Sequence, residues 1–178
     1  ALGLAHPHDT GGGSGRFPGV TSAFGNFGDN NLNQGIFTTM SYNGGWQTGP
    51  SGLPPNYDYG WQSGPMAFDI AAIQYLYGAN TSFRTGDDAY VLPDVNAPGT
   101  FWSSIWDAGG TDAIVYNGIR NVLINLTAAT LDNSPTGGGV PSYASGIHGG
   151  FTIASGVIIE NASGGAGDDT IIGNSADN

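Results

Sequence analysis

Apolar positions follow a helical spacing in one stretch of the chain. They recur every three or four residues, at Met66, Ile70, Ile73 and Tyr77. This spacing predicts an amphipathic helix over residues 66–77 whose apolar stripe packs into a core. Ser63 or Gly64 can cap the helix, Pro65 suits its first turn, and Gly78 suits its end.

Short β-prone runs replace the helical spacing after residue 80. The runs are Ala89–Leu92, Ala113–Tyr116, Asn121–Leu126, Phe151–Ile153, Val157–Ile159 and Thr170–Ile172. Asp, Asn and Gly stand between them and favour tight turns. We therefore expect strands and loops here, with no second long helix between residues 90 and 172. The change of pattern near residues 78–82 predicts two domains, 1–80 and 81–178.

Composition strengthens this interpretation. The chain has 178 residues, of which 32 are Gly, and so much Gly favours turns over long helices. The predicted fold class is α+β, mostly β and irregular. The net charge is −11, Lys is absent, and every acid except Glu160 is Asp. This balance argues against nucleic acid or an anionic membrane as a partner.

Cysteine use and the ends of the chain bear on the compartment. There is no Cys, which excludes disulfides and thiolate metal sites. No apolar run approaches the length of a membrane span, and the opening at Ala1 has no charged region typical of a signal peptide. These features fit an extracellular protein of bacterial type, with a chain that opens in the middle of an element.

The stretch Gly164–Ile172 is the most specific local motif. It reads Gly-Gly-Ala-Gly-Asp-Asp-Thr-Ile-Ile and matches the nonapeptide G-G-x-G-x-D-x-U-x of calcium-binding parallel β-rolls. Gly carbonyls and a carboxylate can surround one Ca²⁺ when the loop turns its carbonyls inward, and a Cβ would obstruct that conformation. A Gly-rich hairpin is the alternative for a single repeat. Because one turn cannot bury its own face, we expect more repeats after Asn178.

Two other clusters offer the same chemistry. They are Arg84–Asp88 and Asp107–Asp112, each with carboxylates beside Gly. Ca²⁺ takes six to eight oxygen ligands, which such loops can supply. Either cluster alone is an ordinary turn. Together with the nonapeptide and the Asp excess, they predict calcium binding.

Two N-terminal segments carry a resemblance to a known family. Ala1–His6 reads as the last six positions of the metzincin zinc motif H-E-x-x-H-x-x-G-x-x-H, and Pro7 and Asp9 continue it. Phe37–Tyr42 resembles a Met-turn ending in Met-Ser-Tyr. The chain is thus similar to the serralysin-type zinc metalloproteases. Further matching segments are 69–80, 84–87, 106–110, 157–161 and 164–169.

The resemblance implies a fold and a zinc site. The fold would be the C-terminal part of a metzincin catalytic domain followed by a parallel β-roll or β-sandwich that binds calcium. His6 would be the third His ligand of zinc, and Met40 an apolar floor beneath the metal. Tyr42 would be a switchable zinc ligand that steadies the oxyanion. The general base and the other two His would lie directly before Ala1.

The resemblance also implies calcium ligands. For a first ion these are Arg84, Gly86, Asp88, Asp107, Gly109 and Asp112. For a second ion they are Gly110, Asp112, the Ile158 carbonyl and Glu160. For a third they are Gly165, Gly167 and Asp169 with the next turn of the roll.

Two functional hypotheses follow. In the first, the chain is part of a secreted, calcium-stabilised zinc endopeptidase that acts on protein or peptide substrates. Its partner would then be the preceding part of the same protease, and residues 1–178 alone would be inactive. In the second, the chain is a non-catalytic calcium-binding module with a role in secretion, binding or inhibition. Neither hypothesis includes nucleic acid or a membrane as a partner.

Overall fold

The computed structural model describes residues 2–178, which are mostly β and irregular, as predicted. The helices are the 3₁₀ turns Gly11–Gly13 and Asp29–Asn31 and the α-helix α1, Ala67–Tyr77. The strands are β1 Ala89–Val91, β2 Trp102–Ile105, β3 Ala113–Val115, β4 Val122–Asn125, β5 Ser142–Ala144, β6 Gly150–Ile153, β7 Asn161–Ser163 and β8 Thr170–Ile172. The described residues after Tyr77 contain no helix.

The strands form two sheets. One sheet has the order β1-β3-β7 and is entirely parallel. The other has the order β2-β6-β5-β4-β8, in which β4 pairs with β8 in parallel, and β5 is antiparallel to both of its neighbours. The chain therefore passes from β3 to β4 and later from β7 to β8, each time crossing from the first sheet to the second. The two crossings stack on each other, as successive turns of a roll do.

Five of the six predicted strands are present, and one prediction is wrong. No strand covers Val157–Ile159, whose outer residues Val157 and Ile159 are buried in the core instead. The next strand, β7, begins at Asn161. Its sequence is mostly polar and shows no recognisable alternation of apolar and polar residues. Strands β2 and β5 also lacked a recognisable signal, because they are short and contain Ser between or beside their apolar residues.

The main core lies between the two sheets. Ile114, Ile124, Ile153 and Ile159 are fully buried in it. A second apolar cluster joins the N-terminal loops to β2 through Leu32, Ile36, Met66 and Trp102. The Trp102 N–H also donates to the carbonyl of Trp61 at 2.8 Å. These contacts cross the region of the predicted domain boundary, which stays a prediction.

Helix α1 differs from its prediction at two points. Its N-cap is Met66, whose N–H donates to Asp69 Oδ2 at 2.9 Å, so neither Ser63 nor Gly64 caps it. Its apolar stripe is buried only at the start, since Met66 is fully buried and Tyr77 is 66% exposed. Only the first turn faces the packed loops, so α1 is not a core helix over its whole length. None of the helices in residues 2–178 has the length and apolar character needed to cross a membrane.

Candidate functional site

His6 and Tyr42 meet in space although they are far apart in the sequence. Their ring centroids lie 5.1 Å apart in an edge-on arrangement. The ring of His8 joins them, 5.4 Å from His6 and 4.7 Å from Tyr42. Tyr42 is 47% exposed. The structure thus brings together the two residues predicted to contact zinc, with the Tyr42 ring open to solvent.

The turn that carries Tyr42 is bound to helix α1 by one buried carboxylate. Asp69 is 3% exposed, and its Oδ2 accepts the N–H and the hydroxyl of Thr39 at 2.7 and 3.0 Å. Its Oδ1 accepts the hydroxyl of Thr38 at 2.7 Å. The Thr38 hydroxyl in turn accepts the N–H of Met40 at 3.1 Å. Charge-assisted bonds of this kind hold the Met-turn against the helix.

A buried amide fixes the other end of the same turn. Asn43 is 2% exposed, and its Nδ2 donates to the carbonyls of Asn26 and Asn33 at 3.1 and 3.0 Å. Its Oδ1 accepts the N–H of Gly25 at 2.8 Å. Tyr42 is therefore an exposed side chain directly before Asn43, whose side-chain oxygen and nitrogen both have hydrogen-bond partners.

A cleft opens between the His6 segment and helix α1. Its volume is about 320 Å³, and its lining includes His6, Met40, Phe17, Phe68 and Ala72. Met40 is half-buried and shares this lining with His6, which is where an apolar floor beneath a metal would lie. Helix α1 contributes Phe68, Asp69 and Ala72 to this lining.

The described residues supply only part of a zinc site. A catalytic zinc site has three protein ligands and an open position. The chain has three His, but His148 packs against Tyr59 with ring centroids 5.8 Å apart, and His8 has no predicted role. Glu160 accepts the N–H of Asp112 at 2.7 Å, so the chain's one Glu lies with the calcium loops. The predicted zinc contacts among the described residues are therefore His6 and Tyr42, and the predicted general base is not among these residues.

Three carboxylates converge where two of the loops predicted to bind calcium meet. Oxygens of Asp88, Asp107 and Asp112 lie within 4.8 Å of one another. Asp107 and Asp112 are 5% and 1% exposed. Like charges this close in a poorly solvated place repel one another unless a cation or a proton compensates them.

Asp112 has one carboxylate oxygen that is buried without a hydrogen-bond donor in residues 2–178. Its Oδ1 accepts the N–H of Asp88 at 2.8 Å, whereas its buried Oδ2 has no hydrogen-bond partner among the described residues. Burial raises the pKa of Asp112, and the neighbouring carboxylates of Asp107, Glu160 and Asp88 raise it further. A buried carboxylate oxygen without a donor costs free energy, and a hard cation would satisfy it.

The backbone around this cluster is shaped for close approach. Gly110 has φ of +141°, and a Cβ there would overlap the carbonyl oxygen of Gly86. Gly109 donates its N–H to Asp107 Oδ1 at 3.0 Å. The carbonyl of Arg84 accepts the N–H of Ala108 at 3.1 Å, which leaves one lone pair. Three carboxylate oxygens converge here and backbone carbonyls lie on the same loops, so the residues present fit Ca²⁺.

The residues predicted for a second ion are brought together only in part. Glu160 contacts Asp112 through the hydrogen bond to its N–H, and the Asn161 N–H donates to the Asp112 carbonyl at 2.9 Å. Gly110 lies on the same loop as Asp112. Ile158 is 56% exposed and stands on the segment leading to Glu160. Glu160 lies outside the group formed by the three convergent Asp carboxylates.

The nonapeptide loop stacks on the preceding crossing of the roll. Asp169 Oδ1 accepts the N–H of Val122 at 3.0 Å. A Cβ at Gly165 would overlap the carbonyl of Gly118, and one at Gly167 would overlap the carbonyl of Arg120. Gly165, Gly167 and Asp169 therefore pack closely against the preceding turn of the roll, and their pairing with the following turn around a third ion stays a prediction.

Two positioning residues, Asp69 and Asn43, were absent from the sequence-based site. A signal existed for Asp69, because an acid three residues after an N-cap is half of a capping box. Asn43 gives no such signal, since its partners are carbonyls and an N–H 10 to 18 residues away.

Comparisons with known proteins identify a family and several relatives that this chain resembles. Residues 68–178 match the family described as peptidase M10 serralysin C terminal. Serralysin C of Dickeya chrysanthemi is 39% identical over 97% of this chain and 34% of its own length. Serralysin of Proteus mirabilis is 35% identical over 99% of the chain and 34% of its own length. The metallopeptidase AprA of Pseudomonas marginalis is 38% identical over 99% of the chain and 36% of its own length. The chain spans about a third of the length of these curated relatives.

Proposed function

This chain belongs to the peptidase M10 serralysin C-terminal family, and from that premise we propose that the full-length protein is a secreted, calcium-stabilised zinc endopeptidase. The observation that carries the proposal is the meeting of His6 and Tyr42, with ring centroids 5.1 Å apart, beside a cleft lined by Met40. The relatives' names include metallopeptidase and metalloprotease. The acidic, Lys-free and Cys-free composition supports export.

Each residue of the zinc site has a separate proposed task. His6 holds the metal through a ring nitrogen. Tyr42 is 47% exposed, and its hydroxyl can donate a hydrogen bond to the developing oxyanion of the substrate. Met40 lines the cleft and excludes water beneath the site. When bound, zinc polarises the scissile carbonyl and lowers the pKa of a bound water.

Calcium has a structural task in this proposal. Asp88, Asp107 and Asp112 hold an ion with the carbonyls of Gly86 and Arg84, and the unpartnered Asp112 Oδ2 becomes a ligand. The ion joins the loop before β1 to the loop before β3, so it ties the start of the roll together. Glu160, with Gly110 and Ile158, and the loop containing Gly165, Gly167 and Asp169 provide the further calcium sites proposed for the same roll.

Residues 1–178 are proposed to be inactive when purified alone. They offer His6 and Tyr42 but no general base, since Glu160 belongs to the calcium loops. Two protein contacts do not enforce a tetrahedral site. The lack of a base removes a further rate factor of roughly 10²–10⁴.

The test compares casein hydrolysis by the full-length protein and by residues 1–178, both saturated with calcium. The full-length protein is expected to cleave casein, and a zinc chelator is expected to stop it. The 1–178 chain is expected to match the buffer blank. Chelator-sensitive cleavage by the 1–178 chain would show that the assignment of the missing ligands is wrong. A full-length protein without cleavage would overturn the protease proposal and favour a calcium-binding module.

A further inference from the structure

Phe24 is a large apolar side chain exposed beside the proposed catalytic tyrosine. It is 70% exposed, and its ring centroid lies 5.2 Å from that of Tyr42. The Tyr42 ring also lies 4.7 Å from the ring of His8. Phe24, Tyr42 and His8 thus form a group of neighbouring rings, which we call the aromatic ledge. It continues to His6 and therefore begins at the proposed zinc ligand.

The backbone that carries Phe24 is fixed by hydrogen bonds. The Gly25 N–H donates to Asn43 Oδ1 at 2.8 Å. The Asn26 carbonyl accepts Nδ2 of both Asn33 and Asn43, at 2.7 and 3.1 Å. The hydroxyl of Ser22 donates to the Phe24 carbonyl at 3.1 Å. Because Asn43 directly follows Tyr42, one buried amide sets the distance between the two rings.

An exposed ring on an anchored backbone is suited to binding. Its position is set before the ligand arrives, so little conformational entropy is lost when an apolar group covers it. Rings and apolar groups pack well at centroid distances of about 4.5–7 Å. Isolated exposed apolar residues are common on surfaces, so exposure alone would mean little. The contact with Tyr42 and the anchoring by Asn43 distinguish Phe24 from such residues.

We propose that Phe24 is a specificity-determining residue that contacts a large apolar or aromatic side chain of the peptide substrate, next to the bond that is cut. The proposal rests on the endopeptidase function proposed above. A peptide whose scissile carbonyl is within reach of Tyr42 must place a neighbouring side chain near the aromatic ledge. A Phe or Leu at that position would cover Phe24, whereas an Ala would leave it exposed to water.

A structural role for Phe24 makes a different prediction. If Phe24 merely supported the Tyr42 ring, its removal would slow the cleavage of every peptide by the same factor. If Phe24 binds the substrate side chain, the loss must depend on that side chain. The loss of kcat/KM for one peptide relative to another therefore distinguishes the two roles.

The experiment uses the full-length protein and peptides that differ at one position flanking the scissile bond, which is Phe, Leu or Ala. One series varies each side of the bond. The variants are Phe24→Ala and Phe24→Leu, with Tyr75→Ala as the control, since Tyr75 is 90% exposed on α1. In one of the series, Phe24→Ala is expected to lower kcat/KM about tenfold for the Phe peptide and less than about twofold for the Ala peptide. Phe24→Leu should lie between, and Tyr75→Ala should match the unsubstituted protein.

Failure of this proposal and failure of the endopeptidase proposal give different results. An equal loss for all peptides, or no loss, in a protein with chelator-sensitive activity would overturn only the assignment of Phe24. An unsubstituted full-length protein without chelator-sensitive cleavage would overturn both. Thermal unfolding of each variant is expected to match the unsubstituted protein, because Phe24 is exposed.

Discussion

Asp69 is expected to be the polar side chain on which the N-terminal loops depend most. It accepts hydrogen bonds from Thr38, from both donors of Thr39, and from the N–H of Met66. Replacing Asp69 by Ala removes every one of these acceptors. It also removes the side chain that caps helix α1.

The cost of Asp69→Ala follows from what is left unpaired. Each buried N–H without an acceptor costs about 1–3 kcal/mol, and the N–H groups of Thr39 and Met66 both lose theirs. The hydroxyls of Thr38 and Thr39 lose their acceptor as well, which adds about 1 kcal/mol. Removing a buried charge offsets part of this cost. We therefore expect Asp69→Ala to lower the free energy of unfolding by about 3–5 kcal/mol. For a chain of this size that lowers the Tm by about 6–20 °C.

Asp69→Asn is the informative intermediate. The amide oxygen can take the place of Oδ2, which receives three of the four donors. The amide nitrogen would then face the Thr38 hydroxyl and could donate to it. The lost charge weakens the remaining bonds, so the expected cost is about 1–2 kcal/mol.

The assay is urea and thermal unfolding of residues 1–178 at saturating calcium, followed by circular dichroism. Asp58→Ala is the matched control, because Asp58 is an exposed carboxylate and its loss should cost less than about 0.5 kcal/mol. The reasoning is refuted if Asp69→Ala costs less than about 1 kcal/mol, or if Asp69→Asn costs as much as Asp69→Ala.

Three other predictions concern calcium, pH and the second anchor. Calcium at about 100 times its Kd should raise the free energy of unfolding by about 2.7 kcal/mol. Asp112→Asn should abolish most of that rise, which titration by differential scanning calorimetry measures; an unchanged rise, or dialysed protein that retains no calcium by elemental analysis, would contradict the site. Burial lowers the pKa of His148 below its ordinary value of 6.5, so the unfolded chain binds this proton more readily. The stability that neutral His148 contributes is present above pH 6.5 and is lost as the pH falls through that value toward the lowered folded pKa. His148→Gln should therefore flatten the stability profile in that window, and an unchanged slope would refute the assignment. Asn43→Ala should cost about 2–4 kcal/mol in urea unfolding by leaving buried groups of the turn unpaired, whereas Asn56→Ala, at an exposed position, should cost almost nothing.

The sequence by itself determined the features that depend on neighbouring residues. The helical spacing located α1, and its end at Gly78 was correct. Five short β-prone runs became strands, because β-branched residues between Gly, Asn and Asp favour strand and turn locally. The nonapeptide indicated a turn of a roll, because its residues stand at fixed spacing, and with the excess of Asp it predicted calcium binding. The zinc motif and the Met-turn indicated the family in the same way.

The tertiary structure decided everything that depends on distant partners. Strand β7 is polar and forms because β3 offers it a parallel edge, which no local pattern records. The family resemblance grouped Asp88 with Asp107 and Asp112, but the approach of their oxygens to within 4.8 Å depends on how the two loops pack. Asp69 and Asn43 acquired their roles from carbonyls, hydroxyls and N–H groups brought by other segments, and Phe24 reached Tyr42 through them. Local propensity specifies single elements, whereas hydrogen bonds between loops depend on how the whole chain packs, and these contacts build the site.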